Sequence, residues 1–194
     1  MGDKVAELRG RLRRLEQEID TAIDDEQRQA ASAAEARKVG FSGAVRAEQR
    51  GHRVGIFRYV ISMNPSSLLA VPATYAVIVA IVLLDLLATL HQWITFPVLG
   101  IRRVRRADYV AIDRHKLSYL NAIEKLNCLY CGYANGVIAY AREIASRTEQ
   151  YWCPIKHAKL IRSPHRRYPE FLDYGDAKGY RERLAEYQKK AGEP

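Results

Sequence analysis

Cysteine and histidine recur in this chain at spacings that suit a metal ion. Cys128 and Cys131 are separated by two residues in NCLYCGYANG, and Cys153 and His157 by three in TEQYWCPIKH, with twenty-one residues between the pairs. A structural zinc site needs four soft or borderline ligands in tetrahedral array, and three thiolates with one imidazole are a standard set. On a helix Cys128 and Cys131 share a face at i, i+3. The intervening stretch is long enough for a helix running out and a chain returning, so the spacing predicts one Cys3His site, with zinc favoured over iron. Buried thiols and a dithiol redox pair are the competing readings of the same cysteines. Glu149 and Glu143 are possible additional ligands, which would shift the preference toward iron and redox chemistry. Four protein ligands make a closed, structural site; three plus water make an open, catalytic one. An odd cysteine count rules out a complete internal disulfide set and points to a reducing compartment, where thiolates serve as ligands.

The elements that would carry these residues are set by one long apolar run. Residues 68–101 are almost wholly apolar, and LLAVPATYAVIVAIVLL, 68–84, holds no charge. About 20 apolar residues span a bilayer core as helix, so membrane insertion is expected, with Pro72 and Pro97 bracketing the helix. Trp93, Phe96 and Tyr75 lie near its ends, as interfacial aromatics do. Ser66 or Ser67 is the expected N-cap. Asp85 interrupts the run, and a charge at mid-bilayer must face protein or water. Thr74, Ile78, Ile81, Asp85, Thr89 and Gln92 fall on one helical face, a polar stripe for another subunit unless Asp85 sits at a hairpin tip. IRRVRR follows at once, and its Arg102, Arg103, Arg105 and Arg106 mark that end as cytoplasmic. The preceding flank, with Arg46, Arg50, Arg53 and Arg58, is basic too. If both flanks are cytoplasmic, the run is a re-entrant hairpin or lies shallowly in one leaflet.

Around that run the chain divides into four parts. Residues 1–38 read as an amphipathic or short coiled-coil helix, with Val5, Leu8, Leu12, Leu15, Ile19 and Ile23 at spacings of three and four, a stripe suited to a partner or to self-association. Residues 39–67 form a Gly/Arg-rich linker or interfacial segment. Residues 68–101 are the membrane segment, and 102–194 a basic, tyrosine-rich helical domain. Within that domain residues 108–152 can be read as helix nearly throughout, weakened at Gly132 and Gly136. Pro154 is expected to end it, and a terminal helix is expected after an Asp176 cap. The charged opening of the chain is unlike a secretory leader, so the apolar run is expected to stay in the mature protein. With 31 Lys+Arg against 22 Asp+Glu, the chain favours an anionic partner. Most of the excess flanks the apolar run or lies toward the C-terminus, where anionic lipid head groups account for it more simply than nucleic acid. Phosphate-cradling loops, a nucleophile elbow and a covalent haem motif are absent from the sequence.

The stretch FPVLGIRRVRRADYVAIDRHKLSYLNAIEKLNCLYCGYANGVIAYAREIASRTEQYWCPIKHA, followed by FLDYGDAKGYRERL, resembles a group of uncharacterised bacterial membrane-associated proteins. The resemblance covers about half the chain, and its most specific part is the cysteine motifs. It implies a bacterial inner-membrane setting and carries no activity. Taken together, the expected fold is mainly α: an N-terminal amphipathic helix, one long membrane-inserted helix or re-entrant hairpin, and a small cytoplasmic helical domain stapled by metal. The expected function is that of a non-enzymatic structural or accessory subunit of a membrane complex. The alternative is a membrane-surface metalloenzyme or redox protein.

Overall fold

The computed structural model describes residues 43–193 and, before them, isolated positions between Glu7 and Gln29, all helical. Leu15 and Ile19 are among these; the rest of the expected N-terminal stripe, Val5, Leu8, Leu12 and Ile23, lies outside the described residues. The chain forms two compact units, Met1–His52 and Arg53–Pro194. In the first, helix α1 spans Gly43–Gly51.

The second unit opens with α2, Ile56–Ser62, preceded by Gly55 as N-cap. Glycines therefore sit at the ends of these two short helices rather than in their interiors, where they would cost about 1 kcal/mol each against alanine. The apolar run then forms one continuous helix, α3, Pro65–Leu99, and not a re-entrant hairpin. Its N-cap is Asn64, two or three residues before the expected serines: the Asn64 side chain accepts from the Ser66 backbone N–H at 3.1 Å and the Ser66 hydroxyl at 2.9 Å, with Pro65 at the first helical position. Pro72 and Pro97 lie inside α3 instead of bracketing it. Each removes one backbone hydrogen bond, and Pro97 stands in the last turn, where α3 ends on Gly100 in the left-handed conformation, φ 67°.

Residues 101–121, of which 108–121 were expected as the start of a helix, instead return along α3 as irregular chain with two short 3-10 turns, Arg106–Asp108 and Arg114–Lys116. Helix α4, Ala122–Trp152, follows, nucleated by a reciprocal capping box: Asn121 accepts from the Glu124 N–H at 3.0 Å, and Glu124 accepts from the Asn121 N–H at 2.8 Å. Helices α3 and α4 run parallel. Tyr75 bonds Asn127, Ile81 clusters with Ala134 and Val137, Gln92 bonds Tyr140, and Phe96 clusters with Ile144, so both chains rise together. Parallel neighbours need a connection that travels the whole way back, roughly 45 Å along α3. Twenty-one extended residues can cover this, whereas as helix they would reach only about 32 Å. That length requirement explains why periodicity misreads the segment.

The return chain lies close against α4 at two glycines. A Cβ on Gly136 would sit 2.7 Å from the Tyr109 carbonyl oxygen and 2.9 Å from the Val110 Cα, and one on Gly132 would sit 3.2 Å from the Ala111 carbonyl oxygen. These glycines do not break α4, which runs unbroken for 31 residues; they make room for backbone. Pro154 does end it. Residues 153–176 then loop back with one isolated bridge, Ile155 to Leu172, and α5, Ala177–Gly192, starts on Asp176, whose side chain accepts from the Gly179 N–H at 2.8 Å. Tyr187 and Ala191 of α5 are buried, Ala191 in the cluster of Phe96, Ile101, Val104, Tyr140 and Ile144.

Candidate functional site

Helix α3 has two chemically distinct faces. Tyr75, Ile78, Ile81, Asp85, Thr89, Gln92 and Phe96 fall at intervals of three or four and are covered. The polar stripe read from sequence is therefore present from Ile78 to Gln92, with Thr74 exposed and Tyr75 covered in its place, and its partner is the chain's own second half. Asp85 receives three hydrogen bonds from Arg106, Nε to Oδ1 at 3.0 Å and to Oδ2 at 3.2 Å and Nη2 to Oδ2 at 2.7 Å, and a fourth from the Tyr133 hydroxyl at 2.9 Å. Thr89 lies 3.3 Å from the Tyr140 hydroxyl. Gln92, almost wholly buried, accepts from the Val104 N–H at 3.0 Å and donates to the Tyr140 hydroxyl. It thereby satisfies a backbone group that the irregular return chain would otherwise leave unpaired.

The rest of the α3 circumference is apolar and open. Leu69 is 85% exposed, Val79 70% and Val98 80%, and Leu83, Leu86, Leu90 and Ile94 join them. Only 6% of the most apolar stretch of α3 is buried, and by length and composition α3 is able to cross a membrane. A contiguous apolar surface of this size on a soluble monomer is rare and marks a contact with lipid or protein. At its C-terminal end Arg103 stacks over the exposed ring of Trp93, 4.3 Å from the ring centroid. The Arg105 side chain is open to solvent beside Asp108, while Arg102 is tied through its backbone, donating to the Ala191 carbonyl at 3.2 Å and accepting from Arg147 at 2.7 Å. Arg102, Arg103 and Arg105 are thus all exposed, and Arg106 is committed to Asp85.

The cysteine pattern is dispersed. Cys128 and Cys131 share a face near the start of α4, half-buried and exposed respectively, while Cys153 is the exposed C-cap. The twenty-two helical residues from Cys131 to Cys153 separate them by about 33 Å. His157 lies beyond the helix end, its N–H donating to the Tyr168 hydroxyl at 2.7 Å and its ring stacked on Tyr168. The expected single-chain Cys3His site is therefore not assembled: no chain reversal occurs between the pairs, because α4 passes straight through Gly132 and Gly136. Among the described residues, no three of His, Cys, Asp and Glu converge as a metal site. What remains is a two-thiol pair, Cys128 and Cys131, on one helical face.

The two carboxylates offered as extra ligands hold other partners. Glu143 accepts from Arg167 at 2.7 Å and 2.9 Å and from Arg147 at 2.9 Å, and Arg167 also donates to the Ser146 hydroxyl at 2.7 Å. Glu149 lies 2.8 Å from His165 Nε2. These bonds tie the loop after α4 back onto it. Arg147, Arg167 and Ser146 went unnoticed in the sequence, since nothing in their spacing shows that a loop folds back along the helix. Burial pushes the Glu143 carboxyl upward, but the hydrogen bonds and charges of Arg167 and Arg147 outweigh it and hold the group below its ordinary value of 4.5. A depressed carboxylate contributes stability that is fully present above its unfolded value and is lost as pH falls through the folded one. Stability is therefore expected to decline as pH drops from about 4.5. Glu143→Gln, weaker at neutral pH, should show a shallower acid decline in denaturant titrations across that window. Equal acid losses in both proteins would contradict the assignment.

No family model, curated protein or solved structure matches the chain.

Proposed function

We propose that this protein is a membrane-attached, non-enzymatic accessory protein whose helix α3 lies in the plane of an anionic lipid surface and holds the polar C-terminal half against that surface. The setting is the cytoplasmic face of the bacterial inner membrane, and the charged N-terminal residues 3–38 supply a contact to a protein partner or a second copy. The observation that carries the reading is the one-sided docking of α3: a polar stripe filled by the chain's own residues, and an open apolar face along the whole helix.

Physical reasoning favours the in-plane placement over a crossing one. Thirty-five residues make about 52 Å of helix, against a hydrocarbon core of about 30 Å. A crossing would take the return chain into lipid with α3, and irregular backbone exposed to lipid has no partners there. Asp85 at the bilayer centre would cost about 2.5–3.5 kcal/mol if it left its partners behind. In plane, none of these costs arises: the apolar face enters the acyl boundary and the polar half stays in water. Basic residues on both flanks of the run then lie on one side, and Arg103 and Arg105 meet head-group phosphates.

Val79, Leu86 and Trp93 test this directly, because they are exposed and seven residues apart on one line of α3. That line is about 21 Å long. Single-tryptophan proteins carrying the ring at each position, with Trp152 and, where needed, Trp93 replaced by Phe, are bound to vesicles of phosphatidylethanolamine and phosphatidylglycerol. Quenching by lipids brominated at graded acyl depths should give one shallow depth for all three. A monotonic change in depth along the line would mean that α3 crosses.

A further inference from the structure

The covered face of α3 carries a device that decides whether the helix crosses at all. We infer that Asp85, gripped by Arg106 and Tyr133, is the residue that keeps α3 on one side of the membrane. This rests on the in-plane reading above and adds a cause to it.

Asp85 is the only Asp, Glu, Lys or Arg in residues 68–101, and it divides the run near its middle. Seventeen uncharged residues precede it and sixteen follow to Ile101. Each half is shorter than the roughly 20 residues a span needs, whereas the undivided run exceeds that number. The charge at this one position therefore separates two short apolar segments from one ample span.

The partners of Asp85 come from two different places, Arg106 from the return chain and Tyr133 from α4. Neither can follow it into hydrocarbon. Arg106 sits in irregular chain beside Asp108, with Asp113, Arg114 and Lys116 further along the same segment and exposed. Tyr133 sits on a helix whose far end carries the Glu143–Arg147–Arg167 cluster. Crossing thus requires Asp85 to give up its hydrogen bonds from Arg106 and Tyr133 and enter lipid as an unpaired carboxylate. Gln92, two turns on, reinforces the hold, because undocking it also strips the Val104 backbone of its partner. Leucine at position 85 removes the charge in the run together with the ion pair that ties it to the polar half, leaving the Gln92 contact in place.

The test uses the full chain with one epitope tag at each terminus, synthesised in the presence of inverted inner-membrane vesicles and then treated with protease. In the wild-type protein both tags are expected to be digested, since both flanks face outward. In Asp85→Leu one of the two tags should become protected in most of the membrane-bound chains. The exchanged pair Asp85→Arg with Arg106→Asp restores the contact with reversed polarity and should again lose both tags. Digestion of both tags in Asp85→Leu overturns the inference even if the polar half of that variant is unfolded, because an unfolded half exerts no restraint on α3. Protection of a tag in the exchanged pair overturns it as well. Protection in the wild-type protein is a separate result: it rejects the in-plane reading itself.

Discussion

Phe96→Ala is expected to destabilise the folded C-terminal unit by about 3–5 kcal/mol, a large part of the 5–15 kcal/mol that a typical domain possesses. The Phe96 ring is fully buried and is the point at which four segments meet: α3 itself, Ile101 and Val104 of the return chain, Tyr140 and Ile144 of α4, and Ala191 of α5. Its edge also meets the His91 ring at 6.0 Å between centroids. Truncation leaves a cavity that these segments can close only by shifting helices whose separation is fixed elsewhere, at Gly136 against Tyr109 and at Gly192 against the Gly100 carbonyl. The cost should therefore fall toward the upper end of the range for aromatic truncation. Val98→Ala is the matched control. It lies two residues away in the same helix, is 80% exposed, and should change stability by less than about 0.5 kcal/mol. Denaturant unfolding in mild detergent, followed by far-ultraviolet circular dichroism, separates the two. Equal effects would mean that α3 is not docked on the polar half, and the two-faced helix on which the functional reading stands would be lost.

The parts of this architecture that were legible in the sequence are those set by local chemistry. Asp176 caps α5 because its side chain reaches an N–H three residues on, and Pro154 stops α4 for the usual backbone reasons. Asp85, Thr89 and Gln92 were visible as one face because helical spacing alone puts them there. What local chemistry does not specify is who meets that face. The signal was nevertheless present in a form that a single-helix reading passes over: Asp85 and Gln92 are seven apart, and so are their partners Tyr133 and Tyr140. Equal intervals on two segments, with the partners following in the same order along both, are what parallel helices in a common register produce. The metal site failed for the complementary reason. Cys128, Cys131, Cys153 and His157 have workable intervals only if the chain turns between the pairs. Gly132 and Gly136 read as weakening the helix between the pairs, when their actual role is to let the Tyr109–Val110 and Ala111 backbone approach α4. A glycine needed for close approach and a glycine needed for a bend look alike until the neighbouring segment is known.

Replacing Leu86 and Leu90 together by glutamate is expected to lower partition onto vesicles containing phosphatidylglycerol by at least about a hundred-fold. Both side chains point away from α4, 63% and 52% exposed, so the polar half should keep its fold and its unfolding midpoint in detergent. Each leucine buried in the acyl boundary contributes about 1.5–3 kcal/mol, and each tenfold in partition corresponds to 1.4 kcal/mol. Two of them thus account for the hundred-fold before any repulsion between the new carboxylates and anionic head groups is counted. Arg103→Ala with Arg105→Ala should behave differently. Near an anionic surface each arginine is worth about 1 kcal/mol, so the pair gives a loss of roughly thirty-fold that shrinks as salt is added. The leucine effect should persist at high salt, because burial of apolar surface does not depend on a screened charge. Vesicle flotation at low and high ionic strength reads both. A double-glutamate protein that floats like the wild type would mean that something other than lipid covers α3, and a second copy of the chain would then become the leading candidate, to be sought by its mass in detergent.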